Sequence, residues 1–72
     1  MLNLIYDYLI ESDDNFENWT GSSDSAFLIV EKLLIQNPEF INIHKFTRNI
    51  NCEDVEEEKL IFCYKKRASL NY

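Results

Sequence analysis

Glycine, proline and histidine occur once each in these 72 residues, and cysteine twice. A single glycine, Gly21, leaves no glycine-rich phosphate-binding loop, which needs several closely spaced glycines to bring backbone up to phosphate. A single histidine, His44, gives any histidine-based metal site or Ser-His or Cys-His pair only one candidate. Two isolated cysteines add no recognisable zinc spacing to it. One proline and one glycine also leave few places for long irregular loops. The most informative absence is of positive charge: residues 1 to 31 hold seven acids (Asp7, Glu11, Asp13, Asp14, Glu17, Asp24, Glu31) and no Lys or Arg.

What is present is enough for a fold. An apolar fraction of 46 % and an aromatic fraction of 14 % place the chain among folded proteins. Residues 1–72 make a single domain near the lower size limit for a self-sufficient core. Such a core supplies only about 3–5 kcal/mol, so a bound partner is a natural further source of stability. The apolar N-terminal run has no basic flank and is interrupted by Asp7 and Glu11. It therefore reads as neither signal peptide nor membrane span, and a cytoplasmic location is expected. There the Asn18-Trp19-Thr20 sequon is a chance match, and Cys52 and Cys63 read as reduced, buried structural cysteines.

Along the chain, Leu2, Leu4, Tyr6, Tyr8 and Ile10 alternate as a strand face, although Asn3, Asp7 and Glu11 also fall at helical spacing. The short, aromatic-rich run followed by SDDN favours a strand. FENWT (16–20) makes a return strand, and Gly21 and Ser22 break it. Ser22, Ser23 or Asp24 then caps a helix from about Asp24 to Gln36, which Asn37-Pro38 ends. Ala26, Ile29, Val30 and Leu33 form its sheet-facing side, leaving Leu28, Glu31, Lys32, Ile35 and Gln36 outside. EFINIHKFTRNI (39–50) reads as a strand with Ile41 and Ile43 on one face, Phe46 and Ile50 on the other, and a bulge near His44 or Lys45. EKLIFCYKK (58–66) reads as a strand with Leu60, Phe62 and Tyr64 on one side. The expectation is an α+β fold in ββαββ order: a small antiparallel sheet with one helix packed on a face.

Several chemistries fail on spacing. Glu11, Asp13, Asn15 and Glu17 match the first ligand positions of a calcium loop, but Phe16 stands where glycine is needed and Ser22 where a bidentate Glu belongs. Paired carboxylates need a dry cleft to separate their pKa values, which a chain this small rarely encloses. No enzymatic activity, cofactor or metal is expected. Lys65, Lys66 and Arg67, near Tyr64 and Tyr72, form a short basic patch that reads as a solvated strand end, with the option of pairing with the acids at 53–58 across a hairpin.

Those acids are the main functional signal. NCEDVEEEK (51–59) places five acids in six positions, Glu53 to Glu58, and the net charge of the chain is −6. Acids of this kind can keep a turn solvated and protect strand edges. The seven uncompensated acids upstream exceed what one turn requires. Carboxylates on one strand face repeat at about 6.6 Å, comparable in scale to nucleic-acid phosphates at about 3.4 Å of rise per nucleotide. Such a row fits a groove lined with Lys and Arg.

In size, element order, scattered acids and a composition rich in Asn, Ile, Lys and Glu, the whole chain resembles the small phage-encoded inhibitors of bacterial defence, the anti-CRISPR and anti-restriction proteins. Those families share no active-site pattern, so no residue role is carried over. The resemblance implies a one-to-one protein inhibitor that blocks a nucleic-acid-binding surface or locks a conformation.

The resulting expectation is a non-enzymatic acidic protein whose partner is a nucleic-acid-processing enzyme or complex with a basic surface. Glu11, Asp13, Asp14 and Glu17, with Glu53, Asp54, Glu56, Glu57 and Glu58, would steer association. Trp19, Tyr6, Tyr8, Leu28 and Ile35 are candidate anchors. Two alternatives stand beside it: an immunity or antitoxin protein masking a toxin nuclease, and a small regulatory or structural subunit associating through the Leu28/Ile35 helix face. Neither membrane nor direct nucleic-acid binding is expected, because like charge repels the phosphate backbone. A mobility-shift assay at physiological salt should accordingly show no complex with DNA or RNA. Micromolar affinity for either polymer would contradict this reading.

Overall fold

A computed structural model describes residues 4–51 and 55–66. In chain order these form β1 (Leu4–Ser12), β2 (Phe16–Thr20), α1 (Ser23–Ile35), β3 (Phe40–Asn49) and β4 (Val55–Lys65). The strands make one four-stranded antiparallel sheet in the order β2-β1-β3-β4, and α1 packs on one face of it. The fold is α+β, as the residue pattern predicts.

Local chemistry sets each boundary. Asp14 and Asn15 take positive φ in the β1–β2 turn, a conformation that the short polar side chains of Asp and Asn tolerate best after glycine. The Phe16 amide closes this turn on the Asp13 carbonyl at 3.2 Å. Ser22 is extended and its hydroxyl accepts a hydrogen bond from the Ser25 amide at 3.1 Å, satisfying one of the unpaired donors of the first helical turn. At the other end the Gln36 and Asn37 amides donate to the Leu33 and Leu34 carbonyls. Asn37 then turns left-handed at φ 56°, and Pro38 prevents continuation.

The core is one-sided. Tyr8 and Ile10 of β1 and Ile41 and Ile43 of β3 meet Ala26, Val30 and Leu33 of α1. Ile10, Ile41 and Ile43 have no exposed surface, so each contributes about 1.5–3 kcal/mol of apolar burial. Ser12, the one buried polar residue among those described, donates its hydroxyl to the Phe40 carbonyl at 2.7 Å.

Three expectations require correction. Ile41 and Ile43 oppose Phe46 by plain alternation, so β3 needs no extra residue. The irregularity at Ile43/His44 is real, but its extra residue is Ile61 of the partner strand, since Ile43 pairs with Phe62 and His44 with Leu60. That insertion flips the phase of β4: Ile61, Phe62 and Tyr64 pack on the core, while Leu60 sits opposite His44 and is half exposed. The basic strand end also lies far from Glu57 and Glu58: Lys65 pairs with Phe40, at the opposite end of β3 from Thr47 and Phe46, which pair with those acids. Arg67 is outside the described residues.

The helix exposes the residues expected of it, Leu28 and Ile35, together with Phe27 and Leu34. Replacing Ile43 with Ala should cost about 2–5 kcal/mol, most of the stability of so small a domain. Replacing Leu28 and Ile35 together with Ser should change it by less than about 0.5 kcal/mol. Urea unfolding followed by circular dichroism at low micromolar protein checks both values.

Candidate protein-binding face

With one helix for four strands, the sheet face opposite α1 meets no second layer among the described residues. Its side chains line up in rows across the strands. Trp19, Leu9, His44 and Leu60 make the central row; Glu17, Glu11, Asn42 and Cys63 make the next row toward the β1–β2 turn; Asp7, Phe46 and Glu58 make the row on the other side. β2 stops at Thr20, opposite Tyr8, so nothing from β2 stands beside Asp7. The Trp19 ring leans across that gap to Phe46, centroids 5.1 Å apart and planes tilted by 41°, within the range favoured by aromatic pairs. Trp19 remains 55 % exposed and Leu60 51 %. An apolar centre is therefore open to solvent.

Carboxylates ring this centre. Arg48 Nε and its terminal nitrogen lie 3.0 and 2.9 Å from one Asp7 oxygen. His44 Nε2 lies 2.5 Å from Glu11 and its Nδ1 3.4 Å from Glu58. A neutral imidazole has a single N–H to donate, so in that form it serves one of these two carboxylates at a time. Four carboxylates stand on this face against two fixed cations, Arg48 and, at its far end opposite Phe40, Lys65, an excess of two negative charges. Glu17 stands directly opposite Glu11. Like charges in that position oppose sheet pairing, where favourable cross-strand pairs contribute about 0.2–1 kcal/mol.

The candidate residues separate accordingly. Glu11, Glu17, Trp19 and Glu58 come together on this face. Asp13 is committed to the fold: its carboxylate accepts the Glu39 amide at 2.7 Å and the Phe40 amide at 3.3 Å, fixing the start of β3. Asp14 is exposed in the turn. Glu56 is the unpaired residue at the Thr47/Arg48 irregularity, and Glu57, opposite Thr47, belongs to the helix side of the sheet. Glu56, Glu57 and Glu58 thus do not form one row, because successive strand residues alternate in direction. Glu53 and Asp54 lie outside the described residues. Leu28 and Ile35 are on the far side of the molecule, on the outer surface of α1. Of the tyrosines, Tyr8 is core, and Tyr6 lies under Lys45 Nζ at 4.3 Å.

Sequence reasoning missed Asp7, His44, Phe46 and Arg48 as members of the face. The available signal is the odd phase of β1, Asp7-Leu9-Glu11, which the apolar even phase overshadows. Cys63 corrects another expectation: it is exposed and free, opposite Asn42. Cys52 falls outside the described residues.

A cavity of about 150 Å³ lies between the β1–β2 turn and the end of α1, lined by Asp13, Asp14, Phe16 and Leu33 among others. It is below the roughly 300 Å³ at which ligand pockets begin. Among the described residues no three His, Cys, Asp or Glu side chains are grouped as metal ligands, and no helix is long and apolar enough to cross a membrane. Comparison of the chain with protein-family models, curated proteins and solved structures returns no match.

The division between structural and free acids is measurable with one chemical change at two neighbouring positions. Asp13→Asn replaces one of the two acceptors by an NH₂ facing an amide and should cost about 1–2 kcal/mol after allowance for solvent. Asp14→Asn keeps a side chain suited to positive φ and should stay within about 0.5 kcal/mol of the parent in urea unfolding.

Proposed function

We propose that the protein is a non-enzymatic inhibitor that binds a protein partner through the open sheet face and occludes that partner's basic, nucleic-acid-binding surface. The observation that carries this reading is the placement of the exposed Trp19, paired with the half-buried Phe46, inside a ring of excess carboxylates. The aromatic pair offers an apolar contact surface and a cation–π acceptor for Arg or Lys. Glu11, Glu17 and Glu58 supply the opposite charge that a phosphate-binding surface seeks. Partners of this description include the CRISPR and restriction effectors that the chain's resemblance suggests.

The two kinds of residue have different kinetic roles. Rim charges act mainly on encounter, and desolvated anchors mainly on residence. The reading is tested with a panel of purified CRISPR and restriction effectors assayed for DNA binding with and without the protein. One effector should lose DNA binding at near-stoichiometric inhibitor. For that effector, Glu17→Gln with Glu58→Gln should slow association and reduce its salt dependence, while Trp19→Ala should speed dissociation about tenfold or more, in line with aromatic hot spots of about 2 kcal/mol or above. Adding Glu57→Gln, which lies on the helix side of the sheet, should have the smaller effect. Undisturbed DNA binding across the panel, or inhibition insensitive to Trp19, would defeat the proposal.

A further inference from the structure

The outer surface of α1 carries a second, separate pattern. Leu28 and Ile35 are seven residues apart and 57 % and 85 % exposed. At 100° per residue they project within about 20° of each other, on one line along the helix. Glu31 and Lys32, both exposed, flank this line on opposite sides, each about 50° from it and at nearly the same height. The helix face is thus an apolar seam with one acid on one flank and one base on the other.

That arrangement is self-complementary in one orientation only. When two copies of a helix lie side by side and parallel, a two-fold axis along them places the left flank of one against the right flank of the other. Glu31 of each copy then faces Lys32 of its mate, while Leu28 meets Leu28 and Ile35 meets Ile35. In an antiparallel pair the two-fold axis instead sets like flanks together, Glu31 against Glu31 and Lys32 against Lys32. Flanking charges of this kind set orientation and partner choice in paired helices.

We propose that a second copy of this chain covers the outer face of α1, forming a parallel two-fold dimer through Leu28 and Ile35 with reciprocal Glu31–Lys32 ion pairs. The pairing would bury the most exposed large hydrophobic residue among those described, Ile35. The two sheets lie outside the helix pair, so each open face remains free. The seam has only two apolar layers, and each copy carries a net charge of −6, so the dimer is a weak one, populated between about 1 µM and about 1 mM. It does not depend on the inhibitor reading, since no other protein is involved.

The test is sedimentation of the full chain over that concentration range at physiological salt, with four sequences. The parent should shift from monomer to dimer. Glu31→Lys and Lys32→Glu, each alone, turn both ion pairs into repulsions and should raise the dissociation constant by about tenfold or more. An equimolar mixture of these two single variants should associate as well as the parent, because the two adjacent lysines of one variant then face the two adjacent glutamates of the other. The double exchange, Glu31→Lys with Lys32→Glu, should also recover association. Both positions are exposed, and circular dichroism confirms that each variant is folded. A parent that stays monomeric at about 1 mM, or a mixture no more associated than its components, would overturn the proposal. A mixture that associates far more tightly than the parent and the double exchange would overturn the parallel arrangement, because the parent would then hold like flanks in contact.

Discussion

Three isoleucines without exposed surface, Ile10, Ile41 and Ile43, hold together everything else in this molecule. They belong to the two central strands and all face the single helix, which meets them with Ala26, Val30 and Leu33. The helix is 13 residues long and covers one side of the sheet around these contacts. With the buried hydrophobic residues gathered between this helix and one side of the sheet, the opposite side has no layer of its own among the described residues. Its Leu9, Phe46, Trp19 and Leu60 are held in position by sheet hydrogen bonding and by one another. The exposed face is a consequence of how the core was filled.

The acids divide along the same line. Near the core edge, Asp13 serves the backbone: its carboxylate gathers the first amides of β3, Ser12 holds the Phe40 carbonyl beside it, and the Lys66 amide reaches the Glu39 carbonyl at 2.8 Å. This small knot joins the ends of β1, β3 and β4. On the open face the carboxylates do the reverse. Glu17 opposes Glu11 across adjacent strands, and the Asp7–Arg48 pair, about a third exposed on each side, is of the solvent-screened type that contributes only about 0–1 kcal/mol. Summed over the face, charge is neutral to unfavourable for folding. Departures from local consistency of this kind are expected where binding shapes the sequence.

Much of the fold is legible in the sequence because it rests on local signals. The alternation Leu4-Tyr6-Tyr8-Ile10, the Ser22 cap, the Asn37-Pro38 stop and the helical phase of Ala26, Val30 and Leu33 each have a short-range cause. The phase of β4 is not legible, because the extra residue Ile61 is defined only by the pairing of His44 with Leu60 and Ile43 with Phe62. A run of eleven strand residues contains nothing that marks where alternation skips. The site is half visible for a related reason. Charge and aromaticity alone single out Glu11, Glu17, Trp19 and Glu58 as candidates for the proposed site. Their assembly into one face with Asp7, His44, Phe46 and Arg48 needs the strand order β2-β1-β3-β4, which brings β1 between β2 and β3 although α1 intervenes in sequence.

The chemistry of the open face also restricts what can cover it. A purely apolar layer would bury Trp19, Leu9, Phe46 and Leu60 favourably, at about 25 cal/mol per Å². The same layer would also strip water from Glu11, Glu17 and Glu58 and give nothing back. Removing one ion from water costs several kcal/mol even after relaxation, which cancels the gain from two or three buried side chains. A covering surface therefore has to bring cations to those three carboxylates while laying apolar or planar groups on the aromatic centre. Arginine satisfies both demands in one side chain, since its guanidinium stacks on aromatic rings and forks to carboxylates. Surfaces that hold phosphate supply such arginines at close spacing. In the proposed reading, the class of partner is set by the cost of burying these acids unpaired, and its position on the face by the aromatic centre.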